Sequence, residues 1–230
     1  MTKIITQIGS LPFQNSKQAI GYSLRHDIPF LPELPLLGDN MLNYLKFPGR
    51  LSCLEDFKRL KFSKVKIPCV GPATAIMLGY SEDEAISKIY EHINKIIFNL
   101  RAEEIILFLD EPSLNQVGFN YVDMWSAIFS SFDVTSCIHC CDNADWDVLF
   151  KSDVKIISFD ASKFDITIYP HYRNGKIISW GANNSGEIKD FQKGDLITLP
   201  CGMSPLAYTI SDAEIYFLKL LQMRKEKNNE

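Results

Sequence analysis

The 230-residue chain has no long apolar run. Nothing in it approaches the ~18 consecutive apolar residues of a membrane-spanning helix, and its start, "MTKIITQIGS", holds no apolar segment of signal-peptide length. A cytoplasmic chain with no membrane partner is therefore expected. Excess charge is also scarce: 24 Lys and Arg against 28 Asp and Glu leave a net charge of −4. The basic residues form no aromatic-interleaved stripe, which argues against nucleic acid as a partner. No Gly-x-Gly-x-x-Gly follows the first strand-like segment, and this weakens a dinucleotide-binding fold. Internal repeats and low-complexity segments are absent as well. Six cysteines in a reducing compartment read as free thiols rather than a disulfide framework, leaving metal binding and simple burial open.

What is present is a 46% apolar chain, long enough to bury one core as a single domain over 1–230. Short β-branched runs recur at residues 4–10, 28–33, 65–74, 104–112, 134–141, 155–162, 176–184 and 196–203, and several are continuously apolar, as strands buried on both faces should be. Helical patterns lie between many of them. "SCLEDFKRLKF", "SEDEAISKIYEHINKIIFNLRAEE" and "SDAEIYFLKLLQMRKE" each open with Ser-x-x-Glu, the capping-box pattern, and "NYVDMWSAIFSSF" and "NADWDVLF" also read as helices. Eight strands alternating with helices predict an α/β fold, a single minimal TIM-like (β/α)8 barrel, with an open doubly wound sheet as the alternative.

In such a barrel the site lies at the C-terminal ends of the strands. Those ends carry Gly9 and Ser10, Glu33, Gly71, Pro72 and Thr74, Asp110 and Glu111, His139 and Cys141, Asp160, Asn183 and Asn184, and Cys201 and Gly202. Alternation along a strand puts His139 and Cys141 on one face and Cys140 on the other. With Cys201 from the last strand they make a soft, zinc-selective donor set, and Asp160 is the natural fourth ligand. Cys53, Cys69, Cys137 and Cys140 read as small buried hydrophobes. Trp180, beside the seventh strand's end, is a candidate to line the pocket.

"QIGSLP", a glutamate ending the second strand, "GPAT", "DEPSL", "HCC" and "CG" occur in this order. In that order they resemble the catalytic barrel of cobalamin-independent methionine synthase. More widely they are similar to the superfamily it shares with uroporphyrinogen decarboxylase and zinc methyltransferases acting on thiols. The resemblance implies Zn2+ held by His139, Cys141, Asp160 and Cys201. It also implies an amino-acid thiol, homocysteine, held by Ile8, Ser10, Glu33 and Asp110, and a reaction that methylates the zinc-activated thiolate to give methionine.

The sequence departs from that pattern in three places. Asp160 stands where the family has glutamate, the duplicated N-terminal barrel is missing, and "WGANNSG" lacks the histidine that protonates a departing pterin. Without that general acid a methyl-corrinoid suits the chain better as donor than a methylfolate. Two other readings stay open: a metal-free decarboxylase-like enzyme, and an inactive thiol- or corrinoid-binding protein.

Overall fold

The computed structural model describes residues 3–112, 114 and 121–226, in which parallel strands alternate with helices. The strands are β1 (Ile4–Ile5), β2 (Lys61–Val70), β3 (Arg101–Asp110), β4 (Thr135–Cys140), β5 (Ile156–Asp160), β6 (Ile177–Gly181) and β7 (Leu196–Thr198). They form one parallel sheet in the order β1-β7-β6-β5-β4-β3-β2, a seven-stranded half-barrel. The helices are α1 (Ser16–Ser23), α2 (Met41–Lys46), α3 (Leu54–Lys58), α4 (Pro72–Met77), α5 (Glu82–Ile97), α6 (Val122–Phe129), α7 (Trp146–Lys151) and α8 (Ile210–Lys225). None of these is long and apolar enough to cross a membrane.

Where eight regular strands are expected, the described residues form seven. Segment 28–33 makes only isolated parallel bridges, Phe30 with Lys66 and Ser10 with Glu33. The cause is in its sequence: Pro29 and Pro32 carry no N–H, so a continuous ladder cannot form. What remains is sparse but two-sided. Leu31 N–H donates to the Lys66 carbonyl (3.0 Å) and Lys66 N–H to that of Pro29 (2.8 Å). On the other side Glu33 N–H reaches the Gly9 carbonyl (3.1 Å) and Leu11 N–H that of Glu33 (2.9 Å). The segment therefore touches chain from both edges of the sheet.

Of the three expected capping boxes one forms as expected, one moves and one does not form. Ser81 and Glu84 cap α5 as the sequence predicts. Ser52 instead donates to Asp39 (2.9 Å), and α3 begins at Leu54 with Cys53 at its N-cap and no side-chain cap. At α8 the box is formed by Thr209 and Asp212, and Glu214 is free to pair with Arg25 at 2.7 Å. The α5 helix stops at Ile97, short of the expected run to 104, where Asn99 turns left-handed at φ 63° and releases the chain into β3.

The sheet has two unlike faces. Against the helices lies the main apolar core, with Trp125, Trp146 and Trp180 all buried. The opposite face begins apolar, with Ile28, Ile106, Phe108, Cys137, Ile156 and Leu196 in one cluster. One step further toward the strand C-termini, the paired residues Asp110, His139, Ser158 and Ser179 replace them. That row is where the chemistry of the chain gathers.

Candidate active site

Asp110 and Glu111 are sequence neighbours with opposite fates. Glu111 is fully buried and turns back to cap α4. Its carboxylate accepts the Ala73 N–H (3.0 Å) and Trp125 Nε1–H (2.9 Å) on one oxygen, and the Thr74 N–H (2.8 Å) and hydroxyl (2.7 Å) on the other. Burial pushes this carboxyl upward and the bonds from Trp125, Thr74 and Ala73 pull it down. The N–H donors cannot accept a proton's bond, so the ionised form is the matched one. A Cβ on Gly71 would lie 2.1 Å from Glu111 Cδ, which explains the glycine before Pro72. "GPAT" and "DEP" are therefore one joint, and the joint fixes the end of β3 that carries Asp110.

His139 is buried beside it, stacked on Phe108 with ring centroids 5.2 Å apart. Its Nδ1 lies 3.0 Å from the Ser158 hydroxyl, while the buried Nε2 has no partner among the described residues. Burial, then the Lys66 charge, lowers the imidazole to about 3, so the ring is neutral at pH 7. The half-buried Cys141 and the exposed Cys201 interact side chain to side chain. That contact makes Cys201 the more acidic of the two thiols and holds the Cys141 proton in place. Cys140 points the other way, its sulfur 3.2 Å from the Asp142 carbonyl.

Asp160 is buried and already engaged. One oxygen accepts the Ser162 hydroxyl (2.5 Å) and N–H (3.0 Å), and the other faces Lys163 Nζ at 3.1 Å. Asp160, Lys163, Asn183, Cys201 and Tyr208 are among the residues lining a cavity of about 250 Å³. Of the four residues implied as metal ligands, the structure brings Cys141 and Cys201 together, leaves His139 Nε2 free, and keeps Asp160 tied to Lys163. Among the described residues no group of three or more His, Cys, Asp or Glu side chains is assembled to hold a metal.

The four residues implied for substrate binding frame the same face. The Ser10 hydroxyl donates to Glu33 at 2.9 Å, and the Tyr44 hydroxyl lies next to Glu33 without reaching hydrogen-bond geometry. Asp110 Oδ1 is buried and has no hydrogen-bond partner among the described residues. Burial, then the neighbouring Cys201, Glu33 and Glu111, pushes the Asp110 carboxyl well above its usual range. The Ile8 carbonyl is taken by the Lys66 ammonium.

Lys66 is the residue that sequence reasoning missed. It is 1% exposed, its Nζ sits 3.9 Å from the Phe108 ring centroid, and burial lowers it to about 7 against the opposing pull of Cys137, Glu33 and Asp110. The signal was available: a lysine in the middle of "VKIPCV", an otherwise apolar strand, is costly unless the face it points to is polar. Glu111 was noticed but not its capping role.

Other residues fall outside the site. Trp180 does not line it: its Nε1–H donates to Asp195 (3.0 Å), which also holds Arg173 at 2.8 Å, just before β7 at the opposite end of the sheet. His92 Nδ1 accepts the Gly49 N–H (2.9 Å), and His26 packs against Tyr22, Phe30 and Phe217. Ser113 of "DEPSL" lies outside the described residues. Compared with models of known protein families and with curated proteins, the chain matches none.

Proposed function

We propose that the chain is a short barrel of the (β/α)8 type, its seven-stranded sheet spanned at the open side only by the two bridges of 28–33, that transfers a methyl group to a thiol. The reading takes homocysteine as acceptor, zinc as the metal and a methyl-corrinoid as donor, and it places the chain with the methionine synthase-like barrels. The observation that carries it is the placing of Cys141 and Cys201 just beyond the C-terminal ends of β4 and β7, with the buried Nε2 of His139 at the end of β4 left without a partner among the described residues.

The donor set suits zinc in part. Two thiols and a neutral imidazole whose other nitrogen is held by Ser158 would have to draw together to make a soft donor trio, and Asp160 would complete it by exchanging Lys163 for the metal. A bound zinc would hold an incoming thiol as its thiolate at neutral pH. The protein's own groups do the rest. Asp110, with a buried and unpaired oxygen, and Glu33 offer acceptors for an ammonium group, and Ser10 orients Glu33. The loop after β6 presents Asn183 and Asn184, both bonded to Glu187, and no imidazole, so a leaving group that requires a proton is poorly served.

The test is metal analysis of protein purified under reducing conditions, next to Cys141→Ser and Cys201→Ser. About one zinc per chain, lost in both variants, is expected from a closed thiolate set. Folded protein that takes up no added zinc would overturn the reading.

A further inference from the structure

We propose that Lys66 recognises the carboxylate of the acceptor, so that the site takes an α-amino acid by both of its charges, the carboxylate on the Lys66 ammonium and the ammonium on Asp110. The inference rests on the proposed reading for the class of ligand, an amino-acid thiol and its S-methylated product, and adds a residue that determines specificity within that class.

Other cations held out of water here have evident partners. Half-buried Arg173 pairs with Asp195 at 2.8 Å. The buried Lys3 donates to the Met223 carbonyl (3.2 Å) in the last turn of α8, where the helix end favours a cation. Lys66 has neither kind of support. An ammonium carries three N–H donors. One goes to the Ile8 carbonyl, and the centroid of the Phe108 ring lies 3.9 Å from Nζ. Among the described residues Lys66 forms no ion pair and no second side-chain hydrogen bond. A charge buried without a counter-ion is costly, and an anionic ligand is what offsets that cost.

The position of Lys66 fits a ligand in the site. Its Nζ is bonded to Ile8, directly before Gly9 and the Ser10 that holds Glu33 at 2.9 Å. Phe108, beside Nζ, and Asp110 are two residues apart on β3 and share a face of the sheet, roughly 7 Å apart along the strand. Asp110 Oδ1 is buried and has no hydrogen-bond partner among the described residues. An unpaired cation and an unpartnered carboxylate oxygen thus stand about one strand repeat apart. The two charged groups of an α-amino acid span that gap with a hydrogen bond on either side. Because Lys66 already takes the Ile8 carbonyl, the ammonium of the ligand is left to Asp110.

The experiment is calorimetric titration of the metal-free full chain at pH 7 with methionine, with its deaminated analogue (methylthio)butyrate, and with its decarboxylated analogue (methylthio)propylamine. Loss of the carboxylate should weaken binding about 10- to 100-fold, the worth of a hydrogen bond to a charged group. Lys66→Met, which keeps an apolar stem over Phe108, should weaken methionine and the butyrate by the same factor and leave the amine no weaker. Asp110→Asn should do the reverse, weakening methionine and the amine and sparing the butyrate. An amine that binds the parent as tightly as methionine does, a Lys66→Met variant that weakens all three ligands alike, or a folded chain that binds none of them would overturn the proposal. Zinc uptake on the same preparation separates this outcome from the metal reading. A chain that shows the Lys66-dependent preference but takes no zinc keeps the amino-acid site and loses methyl transfer, and one that takes zinc without the preference loses only the role of Lys66.

Discussion

Glu111→Gln tests the joint on which the site geometry depends. Four donors converge on this carboxylate, three of them N–H groups that cannot reverse. A glutamine oxygen can serve Ala73 and Trp125, and its NH2 must then face Thr74. The Thr74 hydroxyl can rotate and accept, but the Thr74 N–H is orphaned. One orphaned buried N–H costs about 1–3 kcal/mol, and the surviving bonds lose their charge assistance, so a total near 2–4 kcal/mol is expected. The opposite amide orientation orphans Ala73 N–H and Trp125 Nε1–H together and is worse. Urea unfolding at pH 7 should show a lower midpoint with an unchanged slope. Gly71→Ala should do at least as much harm, since its Cβ would overlap Glu111 itself. Stability of Glu111→Gln within about 0.5 kcal/mol of the parent, the range of an ordinary surface change, would refute the reasoning.

Two further predictions concern pH. Burial lowers His26 and His92 to about 4 and His139 to about 3, so between the unfolded value and those values the unfolded chain binds more protons. Metal-free protein should lose stability as pH falls from about 6.5 to 4, by up to ~1.4 kcal/mol per unit for each histidine. The upward-shifted Asp110 and Glu33 offset part of this loss. His92→Gln should flatten the slope measured by denaturant titration at several pH values, and an unchanged slope would contradict the assignment. Lys66 has the same sign: lowered from 10.5 to about 7, its penalty is full below 7 and relieved toward 10.5. The stability of Lys66→Met relative to the parent should therefore be about 3 kcal/mol more favourable at pH 6 than at pH 9. A difference independent of pH would mean that the ammonium is not desolvated.

The fold was largely legible because its strands are continuous apolar runs between capped helices, and those signals are local. The 28–33 segment was read as a strand from its apolar residues, whereas Pro29 and Pro32 decide how much ladder it can make. The α8 cap moved two residues because Thr209 with Asp212 satisfies the helix end as well as Ser211 with Glu214 would, and Arg25 takes Glu214. Within the site, strand alternation expected Cys140 to point away from His139, and Cys140 does lie in the main core; that His139 pairs with Asp110 depends on the register between β3 and β4, which alternation does not give. Nor could it show that Asp160 spends its oxygens on Ser162 and Lys163. Lys66 was hidden for a different reason. Its strand was read as buried on both faces, which leaves no place for a charge until the polar row above it is known.

The most direct test of the central claim is the electronic spectrum of the chain reconstituted with Co2+ in place of zinc, recorded before and after adding homocysteine. Thiolate-to-cobalt charge transfer that disappears in Cys141→Ser and Cys201→Ser, and gains intensity when the substrate thiol binds, is the result the account predicts. A spectrum without thiolate charge transfer, or one that homocysteine leaves unchanged, would contradict it.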